Sequence, residues 1–213
     1  MYYITKSLID SWRYSFKDEK RQEEFVKTLK KYPIEPNELM LAGVKWEKEV
    51  ERYSAYSLSD LRDMFSETTD KQERNKINAA AYCRGGVWQV RCGTVLPLPL
   101  PDYKEVYVKG IIDCLQSNRI IDLKRSKTYD IGKYRDSTQH IIYMLATGID
   151  RFDYLISNGS AGDMCVETYN YFPQMKQKLI STICEFLTDI KRKGLNELYE
   201  ANYTEDGTWE KGE

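Results

Sequence analysis

Two aspartates and a lysine stand where the chain otherwise reads as buried strand. In "KGIIDCLQSNRIIDLKRSK", from Lys109 to Lys127, Asp113 and Asp122 each follow a short apolar run, and Lys124 comes two residues after the second. A buried carboxylate is costly unless its desolvation is offset. Two on adjacent strands repel and raise each other's pKa. A divalent cation removes both problems, because hard Mg²⁺ binds one or two carboxylates and keeps several waters. Side chains alternate along a strand, so Asp122 and Lys124 project to one face. In a twisted hairpin Asp113 and Asp122 would lie side by side at one end, with the Leu123 carbonyl as a further ligand. A metal-bound water, with a lysine to hold it or a phosphoryl oxygen, is equipment for hydrolysing a phosphodiester.

The spacing acid, any residue, lysine also occurs at Asp18–Lys20, Asp102–Lys104 and Asp189–Lys191. The first and last sit on polar helix faces, and the Asp102 case lies in a Pro-rich loop. Asp122 alone has apolar strand flanks and an upstream acid on a paired strand. Three further features point to the same place. In "LMLAGVKWEKEVERY", Leu39, Gly43, Glu47 and Val50 are spaced to share one helix face. Glu47 then looks inward, unless it is a rim residue paired with Lys45 or Lys48. Gln139 and Tyr143 are four apart and share a helix face after the hairpin; the alternative is an ordinary half-buried polar pair. Arg125, Lys127, Lys133 and Arg135 crowd just past the hairpin, as a local basic patch for a polyanion or as solvated loop residues.

The elements that must position these groups follow from periodicity. Five helices are expected in the first 85 residues: "TKSLIDSWRYSF" with Thr5 or Ser7 as cap, "DEKRQEEFVKTLKKY", "EPNELMLAGVKWEKEVERY", "SLSDLRDMFSE" capped by Ser59, and "DKQERNKINAAAYCR" ending at Gly85-Gly86. The period then changes. A strand runs from Val87 to about Val95, and "EVYVKGIIDCL" and "RIIDLKR" form a hairpin around "QSN". "STQHIIYMLATG" is a short helix closed by Gly148. Strands "RFDYLIS" and "CVETYNYF" flank the turn "NGSAGD", and a long helix runs from Pro173 to Gly194. The fold class is α/β, a mixed central sheet flanked by helices. A single domain is expected over 1–200, with a helical part at 1–85, an αβ core at 86–200 and a frayed polar tail at 201–213.

The chain has 213 residues, enough for one sizeable core. Its 32 basic and 33 acidic side chains leave a net charge of −1, so bulk charge does not attract nucleic acid and a local patch must. No stretch approaches a membrane span of roughly 20 apolar residues, and "MYYITKSLIDSW" does not read as a signal peptide. Five scattered cysteines, without a Cys-x-x-Cys pair, read as thiols of a reducing cytoplasm. The single histidine, His140, argues against a His-based metal site or base.

These residues, in this order, resemble the PD-(D/E)XK nuclease superfamily, specifically its RecB-like exonuclease branch of phage and prophage type. Glu47 fills the place of the family's helix-borne glutamate, Asp113 that of the strand-end aspartate, Asp122-Leu123-Lys124 that of Asp/Glu-x-Lys, and Gln139 to Tyr143 that of Gln-x-x-x-Tyr. "GIID" stands where the family often has Gly-x-x-Asp, and the match spans about Gly43 to Tyr143. The resemblance implies a restriction-endonuclease-like core and a Mg²⁺- or Mn²⁺-dependent deoxyribonuclease, an exonuclease in phage or prophage DNA recombination or processing. It implies Glu47, Asp113, Asp122 and the Leu123 carbonyl as metal ligands and Lys124 as the water-orienting or charge-stabilising group. Gln139 and Tyr143 would position DNA. The chain lacks the histidine that many RecB-like nucleases carry on the first motif helix. It also lacks the cysteine spacing of relatives with an iron–sulfur cluster, so no cluster is expected. DNA is the expected partner; a recombination partner protein and a homo-oligomer stay open, and no membrane is involved. The alternative is a non-catalytic DNA-binding or recombination-accessory protein on the same fold; a plain scaffold with incidental acids is a third reading.

Overall fold

The computed structural model describes residues 1–33, 35–158 and 163–204. Its elements are β1 (Tyr3–Thr5), α1 (Lys6–Tyr14), α2 (Glu19–Leu29), α3 (Glu38–Ser54), α4 (Leu58–Glu67), α5 (Lys71–Cys83), β2 (Val87–Pro97), β3 (Glu105–Gln116), β4 (Arg119–Ser126), α6 (Gln139–Thr147), β5 (Arg151–Asn158), β6 (Asp163–Asn170), α7 (Pro173–Arg192) and α8 (Asn196–Asn202). The expected turn "NGSAGD" falls largely outside the described residues.

Local chemistry starts and stops these helices. The side chains of Thr5, Asp18, Asn37 and Asp70 each accept a backbone N–H at the start of a helix. Ser57, not Ser59, caps α4, in a capping box with Asp60. Pro173 opens α7, and Gly148 ends α6 at φ 72°, a left-handed value that suits glycine.

A mixed six-stranded sheet runs in the order β1-β3-β4-β5-β6, with β2 also on β3. It is flanked by eight helices among the described residues. Two apolar clusters cover its two faces. One gathers α1, α2, α6, α7 and α8 around Val106, Ile120, Phe152 and Tyr154; the other packs Trp46, Val50, Ile77 and Ala80 of α3 and α5 against Ile121, Leu123 and Leu155. The fold is therefore α/β with both faces of the sheet buried.

Two expectations need correction. The first 85 residues are not purely helical, because Tyr3–Thr5 pairs in parallel with Tyr107–Lys109. The tail does not fray at 201 either: α8 reaches Asn202, Tyr203 is buried, and the Tyr3 N–H donates to the Tyr203 carbonyl at 2.8 Å. Aromatic rings hold this end, with Tyr199 against Tyr2, Tyr103, Phe186 and Tyr203. Residues 205–213 of the expected tail lie outside the described residues.

The site depends on one gap. β2 pairs along β3 from Glu105 to Leu115, so β1 and β4 must share the opposite edge. On that edge β1 stops at Lys109 and β4 begins at Cys114. The edge of Gly110–Asp113 is left without a strand, and β4 leaves to pair with β5 from Ile120 to Ser126. The result is a fork.

α6 closes the fork from one face. The Tyr143 hydroxyl donates to the Ile111 carbonyl at 2.8 Å, satisfying one of the gap's unpaired backbone groups. Its ring lies over Gly110, where an added Cβ would stand 2.3 Å from Cε1 of Tyr143. The ring is anchored at its far end and cannot retreat. Gly110→Ala is expected to cost about 1–3 kcal/mol, seen as a lower urea midpoint at unchanged m-value.

Next to Gln139, His140 is buried, stacked on Tyr169 at 4.3 Å and 3.3 Å from the Tyr154 hydroxyl. Burial, with Lys178 adding, lowers its pKa to about 4. The unfolded chain therefore binds the extra proton between about pH 6.5 and 4. This contribution to stability is complete above about pH 6.5 and is lost as pH falls. Between pH 7.5 and 5 the expected loss is about 2 kcal/mol. Urea unfolding at the two pH values should show it as the difference between wild type and His140→Phe, which keeps the stack and cancels the titration of the other groups.

Candidate active site

Asp113 and Asp122 face each other across the mouth of the fork. The hairpin ladder ends at the pair Cys114 with Ile121, and the next step in register sets Asp113 opposite Asp122. No ladder bond forms there. Instead the Asp113 Oδ2 accepts the Leu123 N–H at 2.8 Å, doing with a side chain what a strand partner would do. In an extended strand a residue's N–H and C=O leave on the same edge. The Leu123 carbonyl therefore also faces the fork rather than β5.

Asp122 is buried to 1% exposure and held from two sides. The Gln139 amide Nε2 donates to Oδ1, and the Lys124 ammonium pairs with Oδ2. Strand alternation puts Asp122 and Lys124 on the α6 face, as expected, while Ile121 and Leu123 pack on the α3 side. Burial would lower the pKa of Lys124; Asp122 and Asp113 outweigh it and raise it. Asp113 shows the reverse. Burial and then the Asp122 charge push its carboxyl well above the usual range, against the opposing pull of Lys124. A second buried carboxylate, Asp153 on β5, accepts hydrogen bonds from Tyr82, Arg151 and Thr168.

Glu47 reaches the same neighbourhood from α3. Burial and then Asp122 raise its pKa, while Lys124 opposes. The inward stripe is Trp46, Val50 and Tyr53, with Leu39 71% exposed, so Glu47 sits at the edge of the buried face rather than on it. Its partner is neither Lys45 nor Lys48. The Gln89 Nε2 donates to its Oε1 at 2.5 Å.

Gln89 was not foreseen. It stands on β2 at the one step where β2 and β3 skip a pair, opposite Asp113, with φ +52°. A left-handed non-glycine costs about 1–2 kcal/mol, and such strain gathers at functional sites. Nothing in the local sequence marks it. Gln89→Gly should be about 1 kcal/mol more stable than Gln89→Ala by thermal unfolding, the reverse of the usual order in a strand. Both should lower any activity that needs Glu47.

The remaining expected residues divide. Gln139 and Tyr143, expected to position DNA, are both buried and engaged with the fork itself. Gln139 Oε1 is left buried without a partner. Arg125 does not join the patch: it lines a separate cleft beside Trp46, Glu49, Glu73 and Lys76 and touches Gln72 at 3.5 Å. Lys127 and Arg135 are exposed. Lys133 donates to Ser126 Oγ at 2.9 Å and lines the cleft that Lys124 and Gln139 also line.

The donors fit a hard divalent cation, being carboxylates and a backbone carbonyl. Asp113 and Glu47 both sit above their ordinary pKa, first through burial and then through the Asp122 charge. Among the described residues no three acidic, histidine or cysteine side chains form a ready-made cage. Mg²⁺ does not need one, since it keeps several waters and takes one or two carboxylates.

No family model matches the chain, and no curated protein matches it. Among solved structures it is similar to one described as "Crystal structure of SSO0001", with a TM-score of 0.51 and 13% identity, covering 88% of this chain and 76% of that one. At that identity the likeness speaks for the fold, an α/β architecture with a mixed sheet. No described helix is long and apolar enough to cross a membrane.

Proposed function

We propose that the protein is a metal-dependent deoxyribonuclease of the PD-(D/E)XK type, an exonuclease acting in phage or prophage DNA recombination or processing. The observation that carries this reading is the fork: Asp113 facing Asp122 at a broken ladder, with Lys124 on Asp122 and the Leu123 carbonyl turned inward. Asp113, Asp122 and the Leu123 carbonyl would hold Mg²⁺ or Mn²⁺, with Glu47 as the outer ligand. The ion would act as Lewis acid on a phosphoryl oxygen and lower the pKa of its water. Lys124, already charged beside Asp122, is placed to orient that water or stabilise charge developing on the phosphate. Gln139 fixes the rotamer of Asp122, and Tyr143 keeps the strand edge in place.

The test is incubation of linear and circular DNA, single- and double-stranded, with Mg²⁺, Mn²⁺ or EDTA. Loss of linear DNA that needs metal supports the reading. Loss of circular DNA as well moves it to an endonuclease. Binding without cleavage in any metal favours the accessory protein.

A further inference from the structure

We propose that the cleft between α1 and the 127–137 segment binds one unpaired strand of DNA and delivers it to the fork. This rests on the reading of the fork as a deoxyribonuclease site. The cleft has a volume of about 350 Å³, and Lys124 and Gln139 are part of its wall. It therefore borders the two residues that hold Asp122.

Its charge is opposite to that of the chain. Lys6, Arg13, Lys17, Lys124 and Lys133 line it against only Asp10 and Asp136, in a molecule of net charge −1. Lys6 is paired with Asp10 at 2.9 Å, and Asp136 with Lys178 at 2.9 Å. Arg13 ties α1 to the Asp136 carbonyl at 2.7 Å, which fixes the two walls relative to each other. Among the described residues Lys17 and Lys133 contact rings and neutral oxygens rather than carboxylates: Lys17 lies 4.5 Å from the centre of Tyr14, and Lys133 binds Ser126 Oγ. They supply the positive charge that phosphates need.

Two tyrosine rings share the cleft with these cations. Tyr14 is 52% exposed on one wall, and Tyr134 lines the other, stacked on Tyr154 at 4.4 Å. Cations along a groove with aromatic platforms between them are the means by which single strands are held without reading sequence. A cleft of about 350 Å³ lies at the small end of ligand pockets, which favours one unpaired strand over a duplex.

The test is fluorescence anisotropy in EDTA with a short labelled oligothymidylate, alone or annealed into a blunt duplex. Tyr14 and Lys17 are both exposed, so Tyr14→Ala and Lys17→Ala should fold, which urea unfolding checks. Wild type should prefer the single strand, and each variant should bind it about tenfold more weakly. Lys17→Ala should also reduce the salt slope by about 0.7. No binding by wild type, preference for the duplex, or wild-type affinity in both variants overturns the proposal. Cleavage by wild type in Mn²⁺ is followed in parallel. Cleavage with unchanged variant binding defeats the cleft and leaves the nuclease. Binding lost in the variants, without cleavage by wild type, defeats the nuclease and leaves the cleft.

Discussion

Asp122→Ala is expected to abolish metal-dependent DNA cleavage, by about a thousandfold or more, and to destabilise the fold at the same time. The activity loss follows from removing the carboxylate that both Lys124 and Gln139 are set around. The stability loss follows from what stays behind. Lys124 is only 25% exposed and would lose its buried counter-charge, and the Gln139 amide would lose its acceptor. Removing one member of such a pair costs about 3–5 kcal/mol when burial is complete; partial exposure of Lys124 puts this case at or below the lower end. Cleavage assays beside urea unfolding in EDTA measure both effects. Full activity in Asp122→Ala would remove the site.

Asp113→Asn should abolish cleavage equally and yet raise stability without metal. The Asp113 carboxylate is disfavoured by burial and by Asp122, so holding an acid here weakens the fold. Asparagine keeps an oxygen for the Leu123 N–H and removes the charge. For a domain of this size each kcal/mol gained raises Tm by about 2–4 °C. Two substitutions that each delete one carboxylate, one on each strand of the fork, are thus expected to move stability in opposite directions. The difference is Lys124: it neutralises Asp122 and leaves Asp113 the surplus charge. Equal or lower stability of Asp113→Asn in EDTA, with activity kept, would count against this assignment.

Much of this was legible in the sequence because it depends on period and spacing. The hairpin, the shared face of Asp122 and Lys124, and α6 with Gln139 and Tyr143 on one side follow from alternation every two residues and return every four. What was missed depends on remote partners. β1 has three residues, and only the distant β3 makes it a strand. α8 reads as polar tail until Tyr199 and Tyr203 meet Tyr2, Tyr3 and Tyr103. The stripe through Leu39 was misjudged because apolar spacing does not say which side another element covers. The split of Arg125 from Lys124 was readable: neighbours on a strand point to opposite faces. The fork itself was not, since it needs α6 to dock in the gap and Gly110 to admit the Tyr143 ring. Nor was the α1 wall of the cleft, whose basic residues lie far upstream of the hairpin.

The most direct test of the fork as a metal site is thermal unfolding during a Mn²⁺ titration from EDTA, with wild type beside Asp113→Asn. A ligand that binds only the folded state raises Tm with its concentration. Wild type should start lower and climb as Mn²⁺ is added; Asp113→Asn should start higher and stay flat. A wild-type Tm that ignores Mn²⁺, or a rise of equal size in Asp113→Asn, would contradict the account.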